Sequence, residues 1–272
     1  MASILNNVSA LGASRQLGIT GAGLQQTIQR LTTGQRINRA SDDAAGLGIS
    51  NKLGADIRIA NQGKRNANDG ISYLQVADGV LDEVTNLLTR AAELSEQAKT
   101  GTISNSNREN IDAEFQNIIK TIGDIGQNTK FNGAIVFTST AVNVSVGGFS
   151  AIALTVGTIS SSTVAALGLT AGTSALTSTA SASSAATAIL AAIDQVSEVR
   201  ASLGASMQQL TSVSNSLGIQ VENFTAAFSQ IRDANIADEI VNLTKFQILN
   251  QSGTSALSQA NQSSQQILAL LR

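Results

Sequence analysis

Apolar residues recur at alternating steps of three and four over long reaches of this chain. From Leu74 they run through Ala77, Leu81, Val84, Leu88 and Ala91, and a second stripe of Val76, Val80, Leu87 and Leu94 widens the face. This spacing predicts a helix that buries two sides, as in a bundle. Ile111, Phe115, Ile118, Ile122 and Ile125 predict a second helix, with Ser106 and Glu109 placed as a capping box. The longest stripe is Ile189, Ile193, Val196, Leu203, Met207, Leu210, Leu217, Val221, Phe224, Phe228 and Ile231, interrupted by Arg200 and Ser214. At about 1.5 Å per residue that helix reaches roughly 60 Å, so a rod is expected.

Between the helices the period changes to two. "FNGAIVF" places a turn at Asn132-Gly133, and Val142, Val144 and Val146 alternate before Gly147-Gly148. Ile152, Leu154 and Val156 alternate after it, so a short hairpin region is predicted. Residues 157–187 are Ala, Ser, Thr and Gly with little pattern and read as a loosely ordered, solvated excursion.

The two ends carry weaker versions of the helical pattern. Ile4, Val8 and Leu11 form one patch, and Leu17, Leu24, Ile28 and Leu31 another, with Gly12, Gly18, Gly21 and Gly23 among them. Each glycine costs about 1 kcal/mol against alanine, so the segment is marginal alone. The C-terminal arm sets Ile240, Leu243, Phe246, Leu249, Leu257, Ile267, Leu268 and Leu271 among Gln, Ser, Asn and Gly253. Both arms are expected to gain order by docking, on each other and on neighbouring copies. The fold class is therefore mainly α: an elongated antiparallel helical bundle or coiled-coil rod with a small β-hairpin region and paired N- and C-terminal helices.

Composition narrows the chemistry. The chain contains no His, Cys, Pro or Trp, so it offers no imidazole base, thiolate or soft metal ligand. No catalytic residue, cofactor or metal site is expected. A net charge of −2 argues against nucleic acid, and no apolar run approaches the roughly 20 residues of a membrane span. No cleaved signal peptide is apparent at the N-terminus. Absent cysteine suits a protein that crosses membranes unfolded. Residues 1–41 hold Arg15, Arg30, Arg36 and Arg39 and no acid, whereas Phe131 to Ile193 has no charge at all and is one third Ser and Thr. Three zones follow: terminal arms (1–41 with 232–272), a helical zone (42–130 with 188–231), and a hairpin and variable zone (131–187).

The stretch "RLTTGQRINRASDDAAGLGIS" places two arginines and two aspartates before a run of small residues. Asp42 and Asp43 are suited to cap the helix that follows, and Ala44, Ala45, Gly46 and Gly48 keep its first turns thin. Whether the pair caps only, or also contacts a neighbour, stays open. The stretch resembles a signature of the bacterial flagellins, as do "RNANDGIS" (65–72), "TKFNG" (129–133), "ANIADEIVNLTKFQILNQSGTSALSQANQ" and the final "LLR". The resemblance covers roughly 1–137 and 185–272.

The resemblance implies arms that form a coiled coil lining a filament core, with a helical rod and β-hairpin outside it and the variable centre facing solvent. The core contacts would come from Ile4, Val8, Leu11, Leu24, Ile28, Leu31, Ile240, Leu243, Leu257, Leu268 and Leu271. Arg36, Arg39, Asp42 and Asp43 would sit in the spoke between layers. It implies export unfolded without signal cleavage and polymerisation at the distal tip of an extracellular filament used for motility. An export chaperone, a filament cap and hook-junction proteins would be partners. "ANQSSQQILALLR" lacks the proline that many members carry in this arm.

"TRAAELSEQ" (89–97) also resembles the flagellin segment recognised by an animal Toll-like receptor, with Arg90 and Leu94 matching it and Glu114 matching an acid on the next helix. Arg90 and Glu114 serve equally well as an interhelical pair or a contact to a neighbouring subunit. Other motifs carry less. Gly46-Leu47-Gly48 has Asn51 where a dinucleotide loop needs glycine, and Asp82, Glu83, Glu93 and Glu96 read as a solvated helix face. The rivals are a hook–filament junction protein, expected to lack the tight 36–50 and 65–72 signatures, and a secreted enzyme or adhesin, for which the uncharged centre supplies no acid or base.

Overall fold

The computed structural model describes residues 7–157 and 176–270, with side chains in the last helix described except at 264 and 267–270. Among the described residues the order is α1 (Val8–Thr33), α2 (Ala44–Lys99), α3 (Asn105–Asn128), β1 (Lys130–Phe131), β2 (Ala134–Ile135), β3 (Val142–Val144), β4 (Ile152–Leu154), α4 (Thr179–Arg232) and α5 (Ile236–Leu270). The chain forms two compact units. One comprises Met1–Ile57 with Glu222–Arg272, the other Arg58–Val221.

The unit spanning 58–221 is built on two apolar clusters. Leu74, Ala77 and Leu81 of α2 pack with Leu203, Leu210 and Leu217 of α4, and the hairpins add Val136, Phe137, Val144, Val146, Leu154 and Val156. A second cluster joins three helices: Val84, Leu88, Ala91 and Leu94 from α2, Phe115, Ile119 and Ile122 from α3, and Ala182, Ala185, Ile189 and Ala192 from α4. The predicted principal stripe of α2 is wholly buried, but Val76 of the second stripe is exposed. Arg200, which breaks the apolar period of α4, reaches across to α2. Its Nε donates to Asp78 Oδ1 at 2.9 Å and its Nη1 to Asp82 Oδ1 at 2.8 Å. Asp82 is thus an ion-pair partner rather than part of a purely solvated face. Glu93 and Glu96 likewise pair along the helix with Arg90 and Lys99.

Both predicted turns form. Asn132 and Gly133 take positive φ values of 49° and 83°, as a two-residue hairpin requires, and join β1 to β2. β3 pairs antiparallel with β4 in the register Val142↔Leu154 and Val144↔Ile152. The Tyr73 hydroxyl donates to the Val136 carbonyl at 2.8 Å, and its ring meets Phe131 edge-on. The hairpin of β3 and β4 lies directly on α2. A methyl group on Gly63 would sit 2.8 Å from the Gly147 nitrogen, and Asn66 Nδ2 donates to the Ser145 carbonyl at 2.8 Å.

Two expectations are corrected. The cap of α3 is Ser104, whose hydroxyl accepts from the Asn107 amide, so Ser106 and Glu109 lie inside the helix. Beside it Arg108, buried and unnoticed in the pattern, donates from Nε to the Ala98 carbonyl at 2.9 Å and closes the end of α2. Finally, α4 begins at Thr179, within the stretch read as a loose excursion. Ser178 and Ser181 cap it reciprocally, each amide donating to the other's hydroxyl. Ala182 and Ala185 continue the three-four spacing of Ile189 and Ala192, a stripe too small to register as hydrophobic period. Leu176 is fully buried, with its amide donating to Asp112 Oδ1. The rest of the excursion, 158–175, lies outside the described residues.

Glycine contacts in this unit give a paired prediction. Gly63→Ala forces backbone apart and is expected to destabilise by about 1–3 kcal/mol. Gly79, with nothing within 4 Å of a built methyl group, is expected to gain roughly 0.8–1.0 kcal/mol as alanine. Thermal unfolding followed by circular dichroism should move the two midpoints in opposite directions.

Candidate functional site

The arms pair as α1 against α5, antiparallel. Asn7 Nδ2 donates to the Ala260 carbonyl at 3.0 Å, Gly253 lies against Leu17, Gly23 against Phe246, and Arg30 against Glu239. On α1 the seam uses Leu17, Thr20, Leu24, Thr27 and Leu31, in steps of three and four. On α5 it uses Glu239, Leu243, Phe246, Asn250, Gly253 and Leu257, in the same steps. Thr20 and Thr27 are the fully buried residues of α1, and Thr20 satisfies its hydroxyl on the Gln16 and Leu17 carbonyls. Small residues permit close approach where the rings and leucines cross: a methyl on Gly23 would lie 2.7 Å from Phe246 Cζ. Gly12, Gly18 and Gly21 meet nothing within 4 Å.

The predicted core residues therefore divide. Leu24, Leu31, Leu243 and Leu257 are half-buried in the seam. Val8 is 71% exposed, Leu11 72%, and Ile28 and Ile240 are also exposed. Ile19, Val241, Ile248 and Leu249 join them on the outer faces. Ile4 and Leu271 lie outside the described residues, as does the side chain of Leu268.

The loop 34–43 is held within the same unit by backbone. Gly34 takes φ 69° and closes α1 through its amide to the Arg30 carbonyl. The Arg36 amide donates to the Arg232 carbonyl at 2.7 Å, and the Ala234 amide to Gly34 at 2.9 Å. Arg36 Nη2 donates to the Ile231 carbonyl, so this side chain is engaged inside the chain; Arg39 is exposed. The two aspartates do different work. Asp43 caps α2, its Oδ1 accepting from the Gly46 amide at 2.9 Å. Asp42 turns back instead and accepts from the Asn38 and Arg39 amides at 3.1 and 3.0 Å. Those amides, first Arg39 and then Asn38, hold its carboxyl below the ordinary carboxylate range. Of the small residues after the cap, Gly46 is required: a methyl there would meet the Asp43 carboxylate and lie 2.7 Å from buried Ile37. Gly48 is open.

In the other unit, Arg90 Nη2 pairs with Glu114 Oε1 at 2.8 Å between α2 and α3, with both side chains about half exposed (51% and 50%). Leu94 is only 2% exposed and belongs to the core, so it contributes nothing to a surface here. A groove of about 460 Å³ lies between α2 and the hairpins, with Asp69 its one carboxylate and no basic group on its walls. Among the described residues no group of three or more acids gathers to hold a metal, and no helix is long and apolar enough to cross a membrane.

The sequence reading missed Glu239, buried and facing Arg30. Its signal was only that an acid occupies a seam position, four residues before Leu243.

Comparisons with known proteins agree with this geometry. The model of the bacterial flagellin N-terminal helical region matches residues 4–141, and that of the C-terminal helical region matches 186–271. The flagellar filament 33 kDa core protein of Treponema phagedenis is 38% identical over 99% of both chains. The flagellin of Halalkalibacterium halodurans is 37% identical, again over 99% of both. Among solved structures, Bacillus cereus flagellin superposes with a TM-score of 0.50 at 26% identity, covering 60% of this chain and 94% of that one. The chain belongs to the bacterial flagellin family, a family of structural filament proteins and not of enzymes.

Proposed function

We propose that the paired arms are the polymerisation element of this chain, exported unfolded and added at the distal tip of an extracellular flagellar filament. The observation that carries this reading is the outer face of the α1–α5 pair. Val8, Leu11, Ile19 and Ile28 on one helix, with Ile240, Val241 and Ile248 on the other, remain exposed after the two helices have paired. Burying one such side chain contributes about 1.5–3 kcal/mol, so contact with further copies is strongly favoured. Ile4, Leu268 and Leu271 extend the same sequence pattern and are assigned to the same contacts.

On this reading, 1–41 with 232–272 form the filament core and 42–130 with 179–231 the helical layer outside it, on which the two hairpins pack. Arg39, exposed on the 34–43 loop, is the spoke residue available to a neighbour. The absence of cysteine and proline suits passage as an unfolded chain. An export chaperone for the C-terminal arm, a filament cap and hook-junction proteins complete the partner set. The half-exposed Arg90–Glu114 pair is the part of its segment open to a host innate-immune receptor.

Three outcomes follow. Removing residues 1–20 or 253–272 should leave a soluble protein with the melting behaviour of the 58–221 unit but no filaments after seeding, as seen by electron microscopy. Arg90→Ala should lower receptor signalling by monomeric protein; unchanged signalling would remove the receptor assignment. Asp42 generates a pH dependence. Its carboxyl is held low in the folded chain, so its contribution is present above the unfolded value of about 3.9 and is lost as pH falls through the lowered folded value. The difference in melting temperature between the parent chain and Asp42→Asn should be largest at neutral pH and shrink in acid, starting near pH 4.

A further inference from the structure

The seam between α1 and α5 is poorly suited to choosing its own register. Leu17, Leu24 and Leu31 recur every seven residues, so a slide of one heptad carries each leucine onto another's place. Their neighbours in the seam are threonines, and the opposing ladder is interrupted by Asn250 and Gly253. Beyond the seam, the bridge at 34–36 and 232–234 uses amides and carbonyls that every residue carries, with two side-chain bonds beside them, Arg36 Nη2 to the Ile231 carbonyl and Arg232 Nε to Gln35 Oε1.

Among the described residues, one ion pair lies buried in this seam. Arg30 Nη1 donates to Glu239 Oε1 at 3.2 Å, and Glu239 is only 7% exposed. Arg30 Nε and Glu239 Oε2 are shut away with no hydrogen-bond partner among the described residues. A buried ion pair with unsatisfied atoms is a poor source of stability, because desolvation offsets the attraction. It is, however, a strong penalty against any arrangement that separates the two charges. A slide of one heptad in one direction sets Arg30 against Phe246; in the other it sets Glu239 against Gly23.

We propose that the Arg30–Glu239 pair is a register pin: it selects one alignment of the terminal arms at the expense of their stability. Exclusion of the slipped states is its role, as a single polar residue does in coiled-coil seams. The pin acts within one chain. It concerns how the arms align, whereas the preceding reading concerns what their outer faces bind.

Cysteine cross-linking in the full-length chain tests this, since no native cysteine interferes. A methyl carbon built on Gly253 lies 4.0 Å from Leu17 Cβ, within disulfide range. Leu17→Cys with Gly253→Cys therefore reports the native alignment. Leu17→Cys with Ala260→Cys, or with Phe246→Cys, reports a slide of one heptad either way. Samples are oxidised at assembly concentration, intramolecular bonds are read on non-reducing gels, and sedimentation reports polymer separately. With the parent pair in place, the native disulfide should exceed either slipped one by about ten-fold or more. In an Arg30→Met/Glu239→Leu background the slipped disulfides should rise to within a few-fold of it. The exchanged pair Arg30→Glu/Glu239→Arg should restore the native preference, while each single reversal should abolish it.

The proposal is overturned if the Met/Leu background keeps the parent's preference, if the exchanged pair fails to restore it, or if the parent forms no native disulfide. Native cross-linking without polymer would leave the pin standing and remove the assembly reading.

Discussion

Two helices can bury only one stripe each against the other, and the terminal arms of this chain carry more apolar surface than that stripe holds. Leu17, Leu24, Leu31, Leu243, Phe246 and Leu257 go inward; Val8, Leu11, Ile19, Val241 and Ile248 stay outside. No conformation of an isolated antiparallel pair hides both sets, because they lie on different faces of the same helices. The excess is a property of helical geometry and sequence together. Large apolar residues also stay outside in the 58–221 unit, among them Ile59, Phe149, Leu190 and Ile219, but there the principal stripe of α2 is enclosed. There α2, α3, α4 and two short hairpins enclose two apolar clusters, and two arginines beside them are met locally, Arg200 by Asp78 and Asp82, Arg108 by the carbonyls at the end of α2. One unit encloses its principal stripes within the chain; on the proposed reading the outer faces of the other meet further copies.

The seam itself shows the same economy. Its fully buried members on α1 are threonines, of which Thr20 returns its hydroxyl to the Gln16 and Leu17 carbonyls, and Gly23 lies against the ring of Phe246. Such a seam gains little from apolar transfer, so the arms contribute modest stability to the single chain. Specific alignment then has to come from elsewhere, and Arg30–Glu239 is the one buried ion pair across the seam among the described residues.

The long helices and both hairpins were legible because their signals are periodic and made of large residues. Leu74 to Ala91 repeats every three or four places, and Asn132-Gly133 demands a turn whatever surrounds it. What escaped was set by geometry or by small atoms. Ala182 and Ala185 bury as completely as a leucine yet barely raise the hydropathy of a Ser- and Thr-rich stretch, so the start of α4 read as loop. Ser104 and Ser106 are chemically alike, and only the path of the chain decides which one caps. Asp42 and Asp43 are adjacent carboxylates, but Asp43 points along α2 while Asp42 turns back to the Asn38 and Arg39 amides. The helical period placed Leu24 and Val8 in one list; which faces inward depends on the partner helix, absent from any local window.

The glycines of α1 and α2 divide by what their backbone meets. Gly23 offsets its helical cost through the approach of Phe246, and Gly46 on α2 does so through Ile37 and the Asp43 carboxylate. Among the described residues nothing lies within 4 Å of a methyl built on Gly12, Gly18 or Gly21, and each still costs about 1 kcal/mol against alanine. Within one molecule that cost has no structural return. On the proposed reading it has one, because these positions lie on the helix that also exposes Val8, Leu11 and Ile19, where a backbone without side chains lets another copy approach closely. The same glycines keep α1 marginal until that approach occurs, which couples the ordering of the arm to the contact. Alanine at Gly12, Gly18 and Gly21 separates the two effects. It stabilises the helix of the lone chain and obstructs the packing of the polymer, so helicity in dilute solution and yield of filament should move in opposite directions.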